Sequence, residues 1–377
     1  MDTEIIKINK IGDAADSSGE SLAKDAISMA ADLIRRGELV AFPTETVYGL
    51  GADATNPEAS QKIYAAKGRP SDNPLIVHIC DIKQLYDVAR EVPDAALKLA
   101  EKFWPGPLTI ILPKSDLIPK ETTGGLDTVA IRMPDNEIAL SLIKESGCPI
   151  AAPSANRSGR PSPTEAAHVY EDLKGRIPLI LDGGAVIIGL ESTIADLSTD
   201  TPAILRPGFF DENDLAAAGV RIDIRPASKI SENDDTAPKA PGMKYRHYAP
   251  KARLIAIRGK ADDVISMMLD LAENNASANP ADAQAHIGFL CTDESKSAFR
   301  NFSANHPDTP CTIISLGSST DAKSIASGLF AAFRSFDEAG TDVIYSEYFD
   351  ESELSAAITN RLKKAAGGRI IDLNDSM

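Results

Sequence analysis

The sequence predicts an α+β or twisted α/β first domain, a linker, and a smaller second domain built on an open parallel sheet. Three observations carry this. Over residues 1–222 strand-like and helical runs mix without a strict βα rhythm, which argues against a clean doubly wound sheet. Residues 223–250 are polar and Pro-rich, with no apolar periodicity, and read as a linker that divides the chain. Over residues 251–377 strand and helix patterns alternate regularly. A length of 377 residues agrees with two domains.

In the first domain, residues 21–36 set Leu22, Ala26, Met29 and Leu33 at helical spacing. A strand at 39–42 follows. Further strand-like runs lie at 75–79, 108–112, 128–133, 149–152, 179–181, 193–197 and 203–205, with helical runs at 59–66, 95–103, 137–146 and 164–173. In the second domain, strands at 253–257, 286–290, 312–316, 342–346 and 369–373 alternate with helices at 262–272, 294–302, 322–336 and 351–366. No G-x-G-x-x-G opens the first of those helices, so the sequence gives no support for a nucleotide site there.

Composition limits the function. Hydrophobic residues make up 43% and charged residues 25%, as in an ordinary soluble chain, and aromatics at 5% predict aliphatic cores. A net charge of −16 argues against coating nucleic acid with a broad basic face and makes any cation cluster informative. Cys80, Cys148, Cys291 and Cys311 form no C-x-x-C pair, so neither a zinc site nor a disulfide framework is implied. No run reaches the roughly 18 apolar residues of a membrane span, and the N-terminus lacks an apolar signal core. A cytoplasmic enzyme is the expectation.

Three blocks carry the chemistry. Residues 43–51 (PTETVYGLG) follow a strand end; their hydroxyls donate and accept, and their glycines allow close approach to the backbone. Taken alone the block is also compatible with an ordinary turn. Residues 67–75 (KGRPSDNPL) set Lys67 and Arg69 in a Gly/Pro-kinked stretch that suits phosphate, or equally a solvated basic turn. Residues 151–159 (AAPSANRSG) place Ser154 and Asn156 at alternate positions, able to meet one ligand. His78 and Arg132 end apolar runs. His78 reads as a core residue or a ligand contact; Arg132, once buried, needs a carboxylate or phosphate partner. The chain has no Walker A motif, no G-x-S-x-G, no H-E-x-x-H and no evident nucleophilic cysteine. Phosphate binders without a covalent catalyst fit a reaction driven by positioning and charge neutralisation.

In this order, PTETVYGLGADA (43–54), KGRPSDNPLIVHI (67–79), WPGPLTIIL (104–112), VAIRMP (129–134), APSANRSG (152–159), ESTIADL (191–197) and ILRPG (204–208) resemble the YrdC-like family of L-threonylcarbamoyladenylate synthases. PGMKYRHYAP (241–250) resembles the linker motif of the family's two-domain form. The resemblance implies a YrdC-like twisted mixed sheet followed by a Rossmann-like open parallel sheet. It implies a nucleotidyltransferase that joins L-threonine, bicarbonate or CO2 and ATP into threonylcarbamoyl-AMP and pyrophosphate, with Mg2+ on the ATP. The product would pass to a tRNA threonylcarbamoyl transferase complex that modifies the adenosine next to the anticodon. Neither membrane association nor strong direct nucleic-acid binding is implied. By motif, Lys67 and Arg69 are catalytic; Lys67, Arg69, Asn73, Thr128, Ser154, Asn156, Ser162, Arg206 and the linker's Tyr245 bind ATP; Thr46, His78, Arg132, Ala152 and Ser192 surround threonine. Thr128 and Ser162 rest on spacing more than on a motif. Two other readings stay open: a carbamoyl-adenylate enzyme using another amine or carbamoyl phosphate, and an RNA-gripping module without chemistry, which the net charge disfavours.

Overall fold

A computed structural model describes residues 1–8, 17–221, 223–224, 238–241, 243, 247–277, 285–349 and 354–374. The chain divides into two compact units, Met1–Ser158 with Ser162–Tyr245, and Gly159–Pro161 with Arg246–Met377. Much of the predicted linker lies outside the described residues; within it, Asp223–Ile224 forms a short strand.

The first unit is built on strands β1 (Glu4–Lys7), β2 (Val40–Phe42), β3 (Gly49–Asp53), β4 (Ile76–His78), β5 (Leu108–Pro113), β6 (Thr128–Arg132), β7 (Ile150–Ala151), β8 (Leu179–Asp182), β9 (Thr193–Asp196), β10 (Ala203–Arg206) and β11 (Asp223–Ile224). They form one mixed sheet in the order β1-β8-β2-β3-β7-β4-β6-β5-β9-β10-β11. Parallel and antiparallel pairs alternate irregularly: β4 pairs parallel with β6 and antiparallel with β7. Its helices are α1 (Ser17–Arg35), α2 (Pro57–Lys67), α3 (Leu85–Val88), α4 (Asp94–Phe103), α5 (Glu137–Ser146), α6 (Ala166–Leu173) and α7 (Glu212–Ala217).

The two faces of the sheet carry separate cores. Helices α1 and α5 cover Val40, Phe42, Leu179 and Leu181. On the other side, Ile63 of α2, Leu99 of α4 and Val169 of α6 pack in one cluster with Ala41, Leu50, Val77 and Ile110. Val40 and Phe42 face one way and Ala41 the other, as a strand's period of two requires. The stripe that α1 buries differs from the expected one. Leu22 is 69% exposed and Met29 38%, while Ala23, Ala26, Ile27, Ala30 and Ile34 are buried. A stripe rich in alanine brings α1 close to its neighbours, with Ile27 and Ile34 filling the core and Leu22 and Met29 left toward solvent.

Two stretches read as non-strand are strands. Glu4–Lys7 pairs in parallel with β8 at the sheet edge, where its mostly exposed residues give no apolar alternation. Gly49–Asp53 pairs with β2 despite two glycines. At Gly51 a Cβ would lie 2.6 Å from the Phe42 ring and 2.8 Å from Ile150 Cγ2, so the neighbouring side chains fill the space that a residue would occupy. Gly183 follows the same logic: a Cβ there would lie 2.8 Å from Pro43 Cγ and 2.6 Å from Ile138 Cδ1.

The second unit carries β12 (Arg253–Arg258), β13 (Ile287–Cys291), β14 (Cys311–Ser315), β15 (Val343–Glu347) and β16 (Ile370–Asp372), all parallel, in the order β14-β13-β15-β12-β16. Helices α8 (Ala261–Ser277), α9 (Lys296–Asn305), α10 (Ala322–Glu338) and α11 (Ser355–Ala365) connect them. Its core departs from the aliphatic expectation: Phe289 stacks on Phe299 at 4.5 Å, and Phe330, Phe333 and Phe336 of α10 are fully buried. Seven of the chain's eleven phenylalanines lie in this unit. All four cysteines are free.

Candidate functional site

The site of the first unit is assembled from the sequence blocks by backbone bonds between them. Leu50 N donates to Pro153 O (2.8 Å), Ala155 N to Tyr48 O (2.8 Å) and Tyr48 N to Pro163 O (2.9 Å). Ser158 N donates to Lys67 O (2.9 Å) and Ala152 N to Ile76 O (2.8 Å). Residues 43–50, 67, 76–78, 152–158 and 162–163 therefore meet in one place, although the sequence scatters them over more than a hundred positions.

Lys67 is the last residue of α2, where a cation is favoured by the helix dipole, and Gly68 closes the helix at φ 62°. The ammonium is buried and donates to Ser154 O, to Asn156 O at 2.5 Å and to Asn156 Oδ1 at 3.4 Å. Its recorded partners are carbonyl oxygens, which solvate the charge without neutralising it. Ser154 Oγ donates to Asn156 Oδ1 (2.6 Å), and Asn156 Nδ2 to Arg157 O (2.9 Å). Lys67, Ser154 and Asn156 form one cluster. Of these bonds the 3.4 Å one is the longest.

Arg69 braces its own loop. Nη2 donates to Asn73 Oδ1 (2.6 Å) and Pro74 O (2.9 Å), and Nε to Asn73 O (3.2 Å). Asn73 is buried and orients Arg69. Thr128 opens β6, at the strand end alongside which 73–74 enters β4, whereas Arg132 closes β6 about 13 Å further on at 3.3 Å per residue.

The opposite strand ends hold a second cluster. His78 and Arg132 are partners across β4 and β6. His78 is buried, its Nδ1 lies 3.1 Å from Ile76 O, and burial, reinforced by Arg132, drives its pKa down to about 3, so the ring is neutral. Arg132 Nη1 donates to Thr46 Oγ1 (2.9 Å) and Nε to Gly106 O (3.3 Å), while Nη2 lies 2.5 Å from Glu45 Oε2. Thr44 Oγ1 caps its own turn, donating to Val47 O (2.7 Å) and accepting from the amides of Thr46 and Val47. Ala152, just past β7, is buried, with its amide committed to Ile76 O.

A third group adjoins β9. Arg206 Nε donates to Ser192 O and Nη2 to Ser192 Oγ, each at 3.1 Å, and Ser192 Oγ lies 2.7 Å from Thr109 Oγ1. Ser162 is buried and donates to Glu191 Oε1 (2.6 Å). Tyr48 hydroxyl donates to Gly184 O (2.7 Å), and burial, with Asp182 second, holds its pKa above the usual range. Tyr245 lies outside the described residues.

Of the four cations expected in the pocket, Arg132 meets the Glu45 carboxylate, while Lys67, Arg69 and Arg206 donate to carbonyl, amide and hydroxyl oxygens. The sequence reading overlooked Glu45, Glu191, Thr44 and Thr109. Glu45 sits inside the PTETVYG block, and its burial could not be read from that string. Among the described residues no group of three metal-ligating side chains occurs.

Comparison with known proteins follows the same division. A family model described as Telomere recombination (Sua5/YciO/YrdC) matches residues 32–208, and one for the threonylcarbamoyl-AMP synthase C-terminal domain matches residues 212–367. The threonylcarbamoyl-AMP synthase of Pyrococcus abyssi is 47% identical over 93% of this chain and 97% of its own length. That of Bacillus subtilis is 47% identical over 92% of this chain and 94% of its own. The crystal structure of P. abyssi Sua5 complexed with L-threonine superposes with a TM-score of 0.86 at 44% identity, covering 98% of this chain and 99% of the other.

Proposed function

The chain belongs to the threonylcarbamoyl-AMP synthase family in its two-domain form, and from that premise we propose that its first unit joins L-threonine, bicarbonate and ATP into threonylcarbamoyl-AMP and pyrophosphate as a nucleotidyltransferase. The observation that carries the mechanism is the buried Lys67–Ser154–Asn156 cluster, a fixed positive charge held by neutral oxygens. Arg69, locked by Asn73, adds a second cation at a fixed orientation.

The threonine amine, as the free base, adds to CO2 with loss of a proton, or condenses with bicarbonate with loss of water, to give an N-carboxy group. That carboxylate attacks the α-phosphorus of ATP and pyrophosphate leaves. Lys67 and Arg69 offset the charge that develops on the phosphate oxygens, the main lever available without a covalent catalyst. The threonine end of the site is the Thr46–Arg132–His78 cluster with Ser192 behind it. Neutral His78 serves there as a hydrogen-bonding partner and takes no part as a cation. Mg2+ fits as a companion of the triphosphate: with no three-ligand cage among the described residues, phosphate oxygens would supply most of its coordination. The product is expected to pass to a tRNA-modifying transferase, and the cytoplasm is the expected location; among the described residues no helix is long and apolar enough to cross a membrane.

The test is pyrophosphate release from ATP with and without threonine and bicarbonate. Release is expected only when both are present. Release indifferent to threonine, or equal with other amines, would overturn the reading.

A further inference from the structure

Glu45 is 5% exposed and ends against Arg132, itself 4% exposed. Their nearest atoms meet at 2.5 Å, yet neither Glu45 oxygen has a hydrogen-bond partner, and Arg132 Nη2 has none either. The contact is therefore close but lacks the alignment of an N–H···O bond. A carboxylate kept only to anchor an arginine normally meets the guanidinium fork squarely and has its remaining lone pairs satisfied, because a buried pair without such bonds does not recover its desolvation cost. Here two acceptor oxygens are buried and unbonded beside the group expected to receive a substrate carboxylate.

Neighbouring charges narrow what can complete the pair. His78, opposite Arg132, is neutral. Thr46 offers only a hydroxyl, already on Arg132. The locus thus holds one fixed positive and one fixed negative charge. An amino acid at neutral pH carries the same two charges on adjacent groups.

We propose that Glu45 is the counter-ion of the substrate's ammonium: the free enzyme pairs Glu45 with Arg132, and threonine enters by exchanging that pair for two, its carboxylate on Arg132 and its ammonium on a Glu45 oxygen. This rests on the reading of the cluster as the threonine site. It assigns Glu45 a direct contact with the substrate, and it explains why a site for anionic phosphates also buries a carboxylate. A carboxylic acid lacking the amine would leave Glu45 unpaired and is rejected on that ground, a specificity that shape alone does not supply.

The test uses the full chain, calorimetry, and two ligands: L-threonine and 2,3-dihydroxybutanoate, in which a hydroxyl replaces the ammonium. The wild type is expected to prefer threonine by about 10- to 100-fold, the range of one charged hydrogen bond. Glu45→Gln is expected to weaken threonine by a similar factor, to change the analogue less than about threefold, and to leave binding of a non-hydrolysable ATP analogue unaltered. Wild-type protein that ignores threonine removes the functional reading and this one with it. Wild-type protein that binds threonine but holds the analogue equally well overturns only the ion-pair exchange, and it does so even if Glu45→Gln fails to fold. A folded Glu45→Gln that keeps threonine, or loses both ligands alike, overturns it as well.

Discussion

The first unit gathers Lys67, Arg69, Arg132 and Arg206 around its strand ends, three of them resting on carbonyl, amide or hydroxyl oxygens. The second unit has a cavity of about 350 Å3 at the ends of β12, β13 and β15. Its position is the one that open parallel sheets reserve for ligands: β13 and β15 are neighbours, and the chain leaves them in opposite directions, toward β14 and β16. Yet the described residues lining it include Asp262, Glu294 and Glu347 and no lysine, arginine or histidine. Topology sets where a crevice forms; the charges that line it decide what can enter. A nucleotide triphosphate suits the first and is repelled by the second.

The largest effect expected from this contrast is at Arg132. Arg132→Ala strands Glu45 as a buried unpaired charge, so about 3–5 kcal/mol of stability is expected to go with threonine-dependent activity. The double variant Glu45→Gln, Arg132→Met, measured by urea unfolding, is expected to regain most of the stability and none of the activity. Next is Lys67→Ala. Losing the cradle's charge is expected to slow pyrophosphate release by about 10²–10³-fold, roughly 2.7–4 kcal/mol of transition-state stabilisation. Equal loss on Glu347→Gln, in the second unit's cavity, would break the comparison; that variant is expected to leave turnover within about twofold. Gly51→Ala, which forces a methyl against Phe42 and Ile150, is expected to cost about 1–3 kcal/mol by thermal unfolding.

The two regions also respond oppositely to pH. The folded pKa of His78 lies below its unfolded value near 6.5, so its contribution is complete above that pH and is lost as pH falls toward about 3. Glu347 is the reverse: burial raises its pKa, and its contribution is present in acid and lost as pH rises through the folded value. Nearby Glu294 runs against Glu347, since hydrogen bonds from Ser318 and backbone amides lower its pKa to about 2. The smallest expected effects are therefore differential. Unfolding midpoints of His78→Asn are expected to vary less between pH 4 and 6.5 than those of wild type, and Glu347→Gln is expected to flatten the curve on its alkaline side. A wild-type acid limb that survives in His78→Asn would exclude the first.

Much of this was legible from residues alone. The mixed first domain and the parallel second sheet follow from strand and loop signals, whereas the convergence of the three blocks was an expectation carried by the family resemblance. What escaped had a physical reason. Glu4–Lys7 is an exposed edge, and Gly49–Asp53 hides its pairing behind glycines that relieve crowding. Half of the α1 stripe was misassigned: Ala26 and Leu33 do pack inward, but Leu22 and Met29 were chosen for their hydrophobicity where Ala23, Ile27, Ala30 and Ile34 are the residues buried. The partnership of Glu45 with Arg132 joins residues 87 positions apart, one in the turn between β2 and β3 and one at the end of β6, which no local pattern encodes.

Gly183 belongs to none of the motifs, yet the ring of Pro43, the first residue of the PTETVYG block, lies where its side chain would be. Its own amide donates to the Tyr48 hydroxyl, which in turn donates to the carbonyl of Gly184. A scheme that grades inherited or engineered changes by motif membership would score position 183 as harmless. The protein would instead experience any such change as a shove on the turn that carries Glu45 and Thr46.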